Sequence, residues 1–264
     1  MHRKDPFAEF KARQRDGWSH FAPVESFTAP PAAHLVRFAR IASGARVLDV
    51  ATGTGVVAVT AARGGARVTG LDLAPALLER ARHNAAVAEH PHIEWVEGDA
   101  EALPFEDASF DVVLSQFGHI FAPRPDVALR EMLRVLRPGG TIAFATWPPE
   151  HLVGRFFALT AQFIAPPPGA APPALWGDPN VVRDRLGDAV ASLAFDRGVM
   201  WFNALSPGHF LMMLEETVAP ARAIAKGDPD ARTRFRLAAR DLGVPYFEDN
   251  RIRQDYLLAR ATKK

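Results

Sequence analysis

Between residues 30 and 148 the chain alternates two hydrophobic periods. Short apolar, β-branched runs recur at 47–50, 67–71, 93–96, 110–114 and 141–145, the look of strands buried on both faces. Between them the apolar positions move to helical spacing. A helix is expected at roughly 31–42, another from Val56, and a third from Pro75, whose Leu77, Leu78, Ala81 and Ala85 share a face. Leu129, Met132, Leu133 and Leu136 fall at i, i+3, i+4 and i+7, a helix facing the core. Strand–helix alternation with short connections predicts an α/β fold with a doubly wound parallel sheet. A ligand then belongs beyond the carboxyl ends of its strands.

After Trp147 the pattern changes. Residues 151–165 read as an apolar helix carrying Phe156, Phe157, Phe163 and Ile164, followed by the proline-rich stretch 165–178, long enough to suggest function or mobility. Strands are expected near 192–202 and 252–262, with helix over 207–243. Segments 149–178 and 203–250 read as a helical lid whose inner side lines an apolar pocket. The charged start, residues 1–15, reads as solvated or frayed.

Composition bounds the rest. At 264 residues the chain can bury a large core, and one elaborated domain is expected rather than two. Net charge is +1, so no overall field points to nucleic acid or an anionic membrane. No apolar stretch reaches the roughly 18 residues of a membrane span, and the N-terminus lacks an apolar signal core; a cytoplasmic location is the expectation. The chain contains no cysteine, which excludes disulfides, thiolate metal sites and cysteine nucleophiles.

The chemistry concentrates at the strand ends. Thr52-Gly53-Thr54-Gly55 breaks the first strand and hands over to a helix N-terminus, where glycines permit positive φ and free N–H groups collect. Asp72 closes the next strand, placed for a ribose diol. Gly53-x-Gly55-x-x-Ala58 also fits the dinucleotide fingerprint, which keeps an NAD-dependent oxidoreductase open. Asp49, inside the strand before the turn, gains nothing from a pyrophosphate but would gain from a cationic ligand. Gly98-Asp99-Ala100 ends the third strand, where an acid and an N–H could hold an adenine edge. Leu136-Arg137-Pro138-Gly139-Gly140 separates a helix from the fifth strand.

In this order the motifs resemble the class I S-adenosylmethionine (SAM) dependent methyltransferases, in particular the small-molecule branch that includes the ubiquinone/menaquinone-biosynthesis C-methyltransferases. The resemblance implies a seven-stranded, mostly parallel Rossmann-like sheet with an antiparallel last hairpin and a helical lid. Its expected parts are a cofactor-covering segment (1–30), a SAM-binding core (31–148), and the lid helices with the last two strands (149–264). It further implies that Asp49 faces the methionyl ammonium. Ala51, Thr52, Gly53 and Gly55 let the backbone approach; Ala51 stands where many relatives have glycine. Asp72 takes the ribose hydroxyls, with Leu73 against the adenine. Asp99 and the Ala100 N–H hold the adenine edge, and Gln116 lies near the methionyl end. Trp18 and Phe21 are expected to cover the cofactor, with Thr28 near its carboxylate.

The expected reaction is methyl transfer to an oxygen or carbon of a small, largely apolar acceptor of phenol, quinol or polyketide type, with S-adenosylhomocysteine (SAH) as the other product. Phe117, Phe121, Trp147, Phe156, Phe157, Trp176, Phe210 and Met213 are the candidate acceptor-pocket residues. Histidine titrates near neutrality and could take a phenolic or enolic proton. His119 is the first candidate base and His20 the second, with His151 and His209 also available. The fourth strand ends in Ser115-Gln116-Phe117-Gly118, without the Asn/Asp-Pro-Pro-aromatic motif of the amine-modifying DNA enzymes, and no basic stripe interleaved with aromatics appears. A nucleic-acid substrate is therefore not expected; no acid cluster spells a magnesium site, so a metal is not expected either, and a monomer or homodimer is. A SAM-binding protein with a non-methylating role, such as a regulatory binder or a cyclisation enzyme, would carry the same motifs.

Overall fold

A computed structural model describes residues 5–264. The chain enters through α1 (Ala8–Trp18), a tight helical turn (Ala22–Thr28) and α2 (Ala29–Ala39). The core then alternates β1 (Arg46–Val50), α3 (Val56–Arg63), β2 (Arg67–Asp72), α4 (Pro75–Val87), β3 (Glu94–Glu97), β4 (Phe110–Gln116), α5 (Pro125–Val135) and β5 (Leu136–Thr146). The second half comprises α6 (Leu152–Thr160), α7 (Pro179–Leu186), β6 (Val190–Asn203), α8 (Pro207–Thr217), α9 (Ala219–Ala225), α10 (Pro229–Gly243), β7 (Phe247–Glu248) and β8 (Arg251–Lys263).

One sheet runs in the order β3-β2-β1-β4-β5-β8-β6, with β7 paired to β8. Strands β1 to β5 are parallel, and β8 lies antiparallel between β5 and β6. The strand order reverses between β1 and β4, which opens the crevice that such sheets use for ligands. Val47, Leu48 and Val50 are fully buried, as are Leu129, Met132 and Val135 on the inner face of α5 or close to it. Each such side chain contributes about 1.5–3 kcal/mol. Among the described residues no helix is long and apolar enough to cross a membrane.

The hairpin of β6 and β8 is longer than the strands it joins. Pairing of β8 with β5 begins at Leu257 opposite Thr146, whereas residues 251–256 pair with β6 and, at 251–252, with β7, but not with β5. Those residues project past the carboxyl end of β5. Around them forms a second core, in which Leu152 and Phe156 of α6, Phe210 and Leu214 of α8 and Phe235 of α10 pack with Phe202 and Ile252.

Several expectations change. The sheet has eight strands rather than seven, because Phe247–Glu248 folds back on β8. The Arg-Pro-Gly-Gly stretch is the irregular start of β5, with Gly139 at φ +69 and a register shift against β4. The helical region 207–243 is three helices. Ser206 and Asp228 cap α8 and α10 by accepting from the N–H groups of His209 and Ala231, and prolines open each helix. Helix α6 ends at Thr160, and α7, capped by Asp178, follows the proline-rich stretch unannounced. Of the start expected to be solvated, residues 1–4 lie outside the described residues. The remainder forms α1, and its Lys11 is buried.

Candidate active site

The turn after β1 sets the floor of a cavity at the carboxyl ends of the strands. Ala51, Gly53 and Gly55 all take positive φ, at +54, +57 and +82. For Ala51 this costs roughly 1–2 kcal/mol. Its methyl lies where a Cβ on Gly118 would approach within 2.5 Å, so the turns after β1 and β4 meet. A Cβ on Gly53 would meet nothing within 4 Å: the residue needs glycine for its φ, and its backbone faces open space. Gly55 departs from its expected role. A Cβ there would sit 2.7 Å from the Trp95 ring, and it is absent from the cavity wall; this glycine serves close packing at the start of α3.

Two buried carboxylates flank the turn. Asp49 Oδ2 accepts from the Thr52 hydroxyl (2.5 Å) and the Ala58 N–H (3.1 Å), while Oδ1 is buried with no partner. Burial pushes its carboxyl up to about 7, helped by the neighbouring charge of Asp72. Asp72 accepts from the N–H of Gly53 (2.8 Å) and of Ala74 (2.9 Å), and burial raises it too. Both line the cavity with Leu73, Asp99, Ala100, Thr52 and Gln116. Gln116 Nε2 donates to the Thr28 carbonyl at 2.9 Å, leaving Oε1 buried and unpartnered. The Thr28 hydroxyl is engaged by the Glu25 carbonyl.

Sequence reasoning missed a cation here. The Lys11 ammonium of α1 stands among Asp5, Asp99 and Glu101 at 2.7, 2.6 and 2.7 Å, and Arg124 pairs with Glu101 at 2.6 Å. The acid ending β3 is thereby tied to the N-terminal helix. Nothing in the local pattern of 8–18 signals it, since the partners lie far along the chain. The other end of α1 meets α9, where a Cβ on Gly17 would lie 2.7 Å from the Ala219 methyl. Trp18 and Phe21 line the cavity, and Trp18 lies 4.7 Å from Phe121 between ring centres.

Over β4 and β5 the wall turns aromatic. Phe117, with φ +61, stacks on Trp147 at 3.9 Å and 12°, and Phe121, Phe156, Phe157 and Phe210 complete the apolar side. Two expected pocket residues lie elsewhere. Trp176 is buried in the main core against Phe144 and His119, because a Cβ-less Gly177 lets its loop run against the Trp147 backbone. Met213 is half-buried in the core of the second half and is not on the cavity wall.

The candidate bases do not reach the cavity either. His119 is completely buried between Phe144 and Trp176, with both ring nitrogens unpartnered. Burial, with the nearby Arg185 charge, pushes it down to about 3. It is a neutral core residue, not a base. His20 is exposed at the end of α1 and absent from the wall. His209 accepts from the Leu205 N–H, and His151 precedes α6; neither lines the cavity.

Comparison with known proteins agrees with this geometry. Residues 48–144 match the methyltransferase domain model. An uncharacterized protein of Mycobacterium tuberculosis is 41% identical over 178 residues, which is 67% of this chain and 65% of that protein. The demethylmenaquinone methyltransferase of Clavibacter sepedonicus is 40% identical over 126 residues, 47% of this chain and 51% of its own. The chain thus spans under two thirds of the curated relatives named. The solved structure of YcgJ from Bacillus subtilis superposes with a TM-score of 0.61 at 18% identity, covering 88% of this chain and 98% of that one. Residues 48–144 thus carry a methyltransferase domain, on a fold shared with that solved structure.

Proposed function

We propose that this protein transfers a methyl group from SAM to an oxygen or carbon of a small, largely apolar acceptor. The observation that carries the reading is the buried, unpartnered Oδ1 of Asp49 on the cavity wall. A lone buried carboxylate oxygen is costly unless a cation or donor completes it, and the methionyl ammonium is such a group. The rest of the donor set fits the same ligand. Asp72 keeps lone pairs for ribose hydroxyls, the open backbone at Gly53 admits close approach, and Asp99 with the Ala100 N–H stands at the end of β3. When bound, SAM supplies an electrophilic methyl on a sulfonium sulfur.

The chain's own work is then orientation and exclusion of water, with orientation alone able to supply about 7–11 kcal/mol of the barrier. Asp49 and Asp72 hold the cofactor over β1 and β2. Phe117, Trp147, Phe156 and Phe157 hold an apolar acceptor over β4 and β5, on the other side of the strand-order reversal. Residues 5–30 of the N-terminal segment and the helices of 149–178 and 203–250 act as covers from either side. Titration with SAM and SAH tests this: saturable binding is expected, with Asp72→Ala weakening it at least about thirtyfold. Failure of SAM to bind the wild-type chain would refute the proposal.

A further inference from the structure

The acceptor side of the cavity holds, on its sheet, a polar side chain that cofactor binding does not use. Gln254 sits on the part of β8 that projects beyond β5, opposite Met200 of β6. It is 4% exposed and lines the cavity. Strand alternation puts it on the same face as the buried Ile252 and Tyr256. Among the described residues its carboxamide makes no side-chain hydrogen bond, although a primary amide offers two donors and an acceptor. Its amide atoms are not among the fully buried unpartnered ones; they face the cavity, free to pair with a group on a bound ligand.

Its surroundings narrow what could complete it. The charged residues of the cavity wall are Lys11, Arg15, Asp49, Asp72 and Asp99. Every one of them belongs to the half over β1, β2 and β3, Lys11 and Arg15 through ion pairs with Asp99 and Glu97. Over β4, β5 and β8 the described wall offers π faces and the carboxamides of Gln116 and Gln254; a third, Gln14 of α1, donates to the Phe121 carbonyl at 3.4 Å. Aromatic walls favour offset or edge contacts with a flat ring, and a carboxamide can both donate to and accept from one hydroxyl. A charged acceptor would find no counter-ion there.

We infer that Gln254 docks the hydroxyl oxygen of an uncharged, hydroxylated aromatic acceptor lying against the Phe117–Trp147 stack. This rests on the methyl-transfer reading and deepens it: Gln254 sets the acceptor's rotation in its slot, and so which atom is presented for methylation. It is a specificity residue and takes no proton.

The test compares 1-naphthol with naphthalene, which differ by the hydroxyl alone, as ligands of the SAH-saturated full chain. Binding is followed by quenching of tryptophan fluorescence. The ratio of the two affinities is expected to fall at least about fivefold in Gln254→Leu and in the near-isosteric Gln254→Met, with SAH affinity and melting temperature unchanged. A structural role would move both ligands together. An unchanged ratio in a folded variant, or a wild-type complex that binds neither probe, overturns the inference. Failure of SAH to bind would instead refute the methyl-transfer reading beneath it.

Discussion

Replacing Asp49 by asparagine should stabilise the free protein and weaken its hold on SAM. Asparagine is isosteric, and its carbonyl can still accept from Thr52 and Ala58. The difference is charge. The carboxyl rises from 3.8 to about 7 on folding, chiefly through burial. The native state therefore holds a proton that the unfolded chain has released between those pH values, and stability falls as pH rises through that window. Below pH 3.8 the penalty is absent, and above about 7 it is complete. Converted at 1.36 kcal/mol per pH unit, the interval is worth about 4 kcal/mol; relaxation and water entry reduce this to an expected ~2–4 kcal/mol at pH 8. Urea unfolding of both proteins at pH 4 and pH 8 measures it. The variant should gain little at pH 4 and the full increment at pH 8. Binding should move oppositely, because a hydrogen bond to a buried charge is worth about 1.5–3 kcal/mol, or roughly 10–100-fold in the SAM dissociation constant. In the wild type, SAM binding should tighten between pH 5.5 and 7 and release a proton, visible by calorimetry in buffers of different ionisation enthalpy. Equal stability of the two proteins at pH 8, or binding of SAM by the variant with wild-type affinity, would refute the assignment.

Two further predictions concern groups the local pattern did not reveal. His119 is held down at about 3 by burial and Arg185, so the stability of its neutral form is whole above 6.5 and is lost as pH falls toward 3. His119→Leu should flatten the acid limb of a urea-unfolding series between pH 6 and 4 and leave the pH dependence of any methyl transfer unchanged; an unaltered acid limb would count against the buried neutral imidazole. Lys11→Met removes the cation shared by Asp5, Asp99 and Glu101, leaving Arg124 to Glu101 and Asp5 and the Asp99 carboxylate without a counter-ion from α1. A loss of about 2–3 kcal/mol is expected, less than for a fully buried pair, with faster proteolysis within α1. A melting temperature equal to wild type would show that the ion cluster contributes nothing.

How much of this was legible beforehand depended on the range of the forces involved. The five parallel strands, the glycine turn and the acids at the ends of β1, β2 and β3 are local matters. Period-2 and period-3.6 burial, the φ freedom of Gly53 and the position of Asp72 at a strand end are written within a few consecutive residues. Of the expected cofactor residues, Gly55 alone is absent from the cavity wall. Aromatic pocket residues beside the strand ends, such as Phe117 and Trp147, were legible for the same reason.

What lies on which side of a packed layer was not. His119 begins a short turn after β4, where sequence allows either solvent or core; Trp176 and Phe144, arriving from elsewhere in the chain, bury it. Trp176 looked like a pocket residue in a mobile loop, yet the close approach of Gly177 to Trp147 draws it into the main core. The charges of α1 read as solvated because their partners, Asp99 and Glu101, are remote in sequence. Gln254 carries no motif at all; only the overhang of the β6–β8 hairpin past β5 brings its amide to the cavity. Local pattern determined the strands, turns and strand-end acids, because backbone geometry and hydrophobic period act over neighbouring residues. Tertiary structure decided the protonation of His119 and Asp49, the pairing of Lys11 and the placing of Gln254, because burial and charge pairing depend on whichever distant segment comes to rest against them.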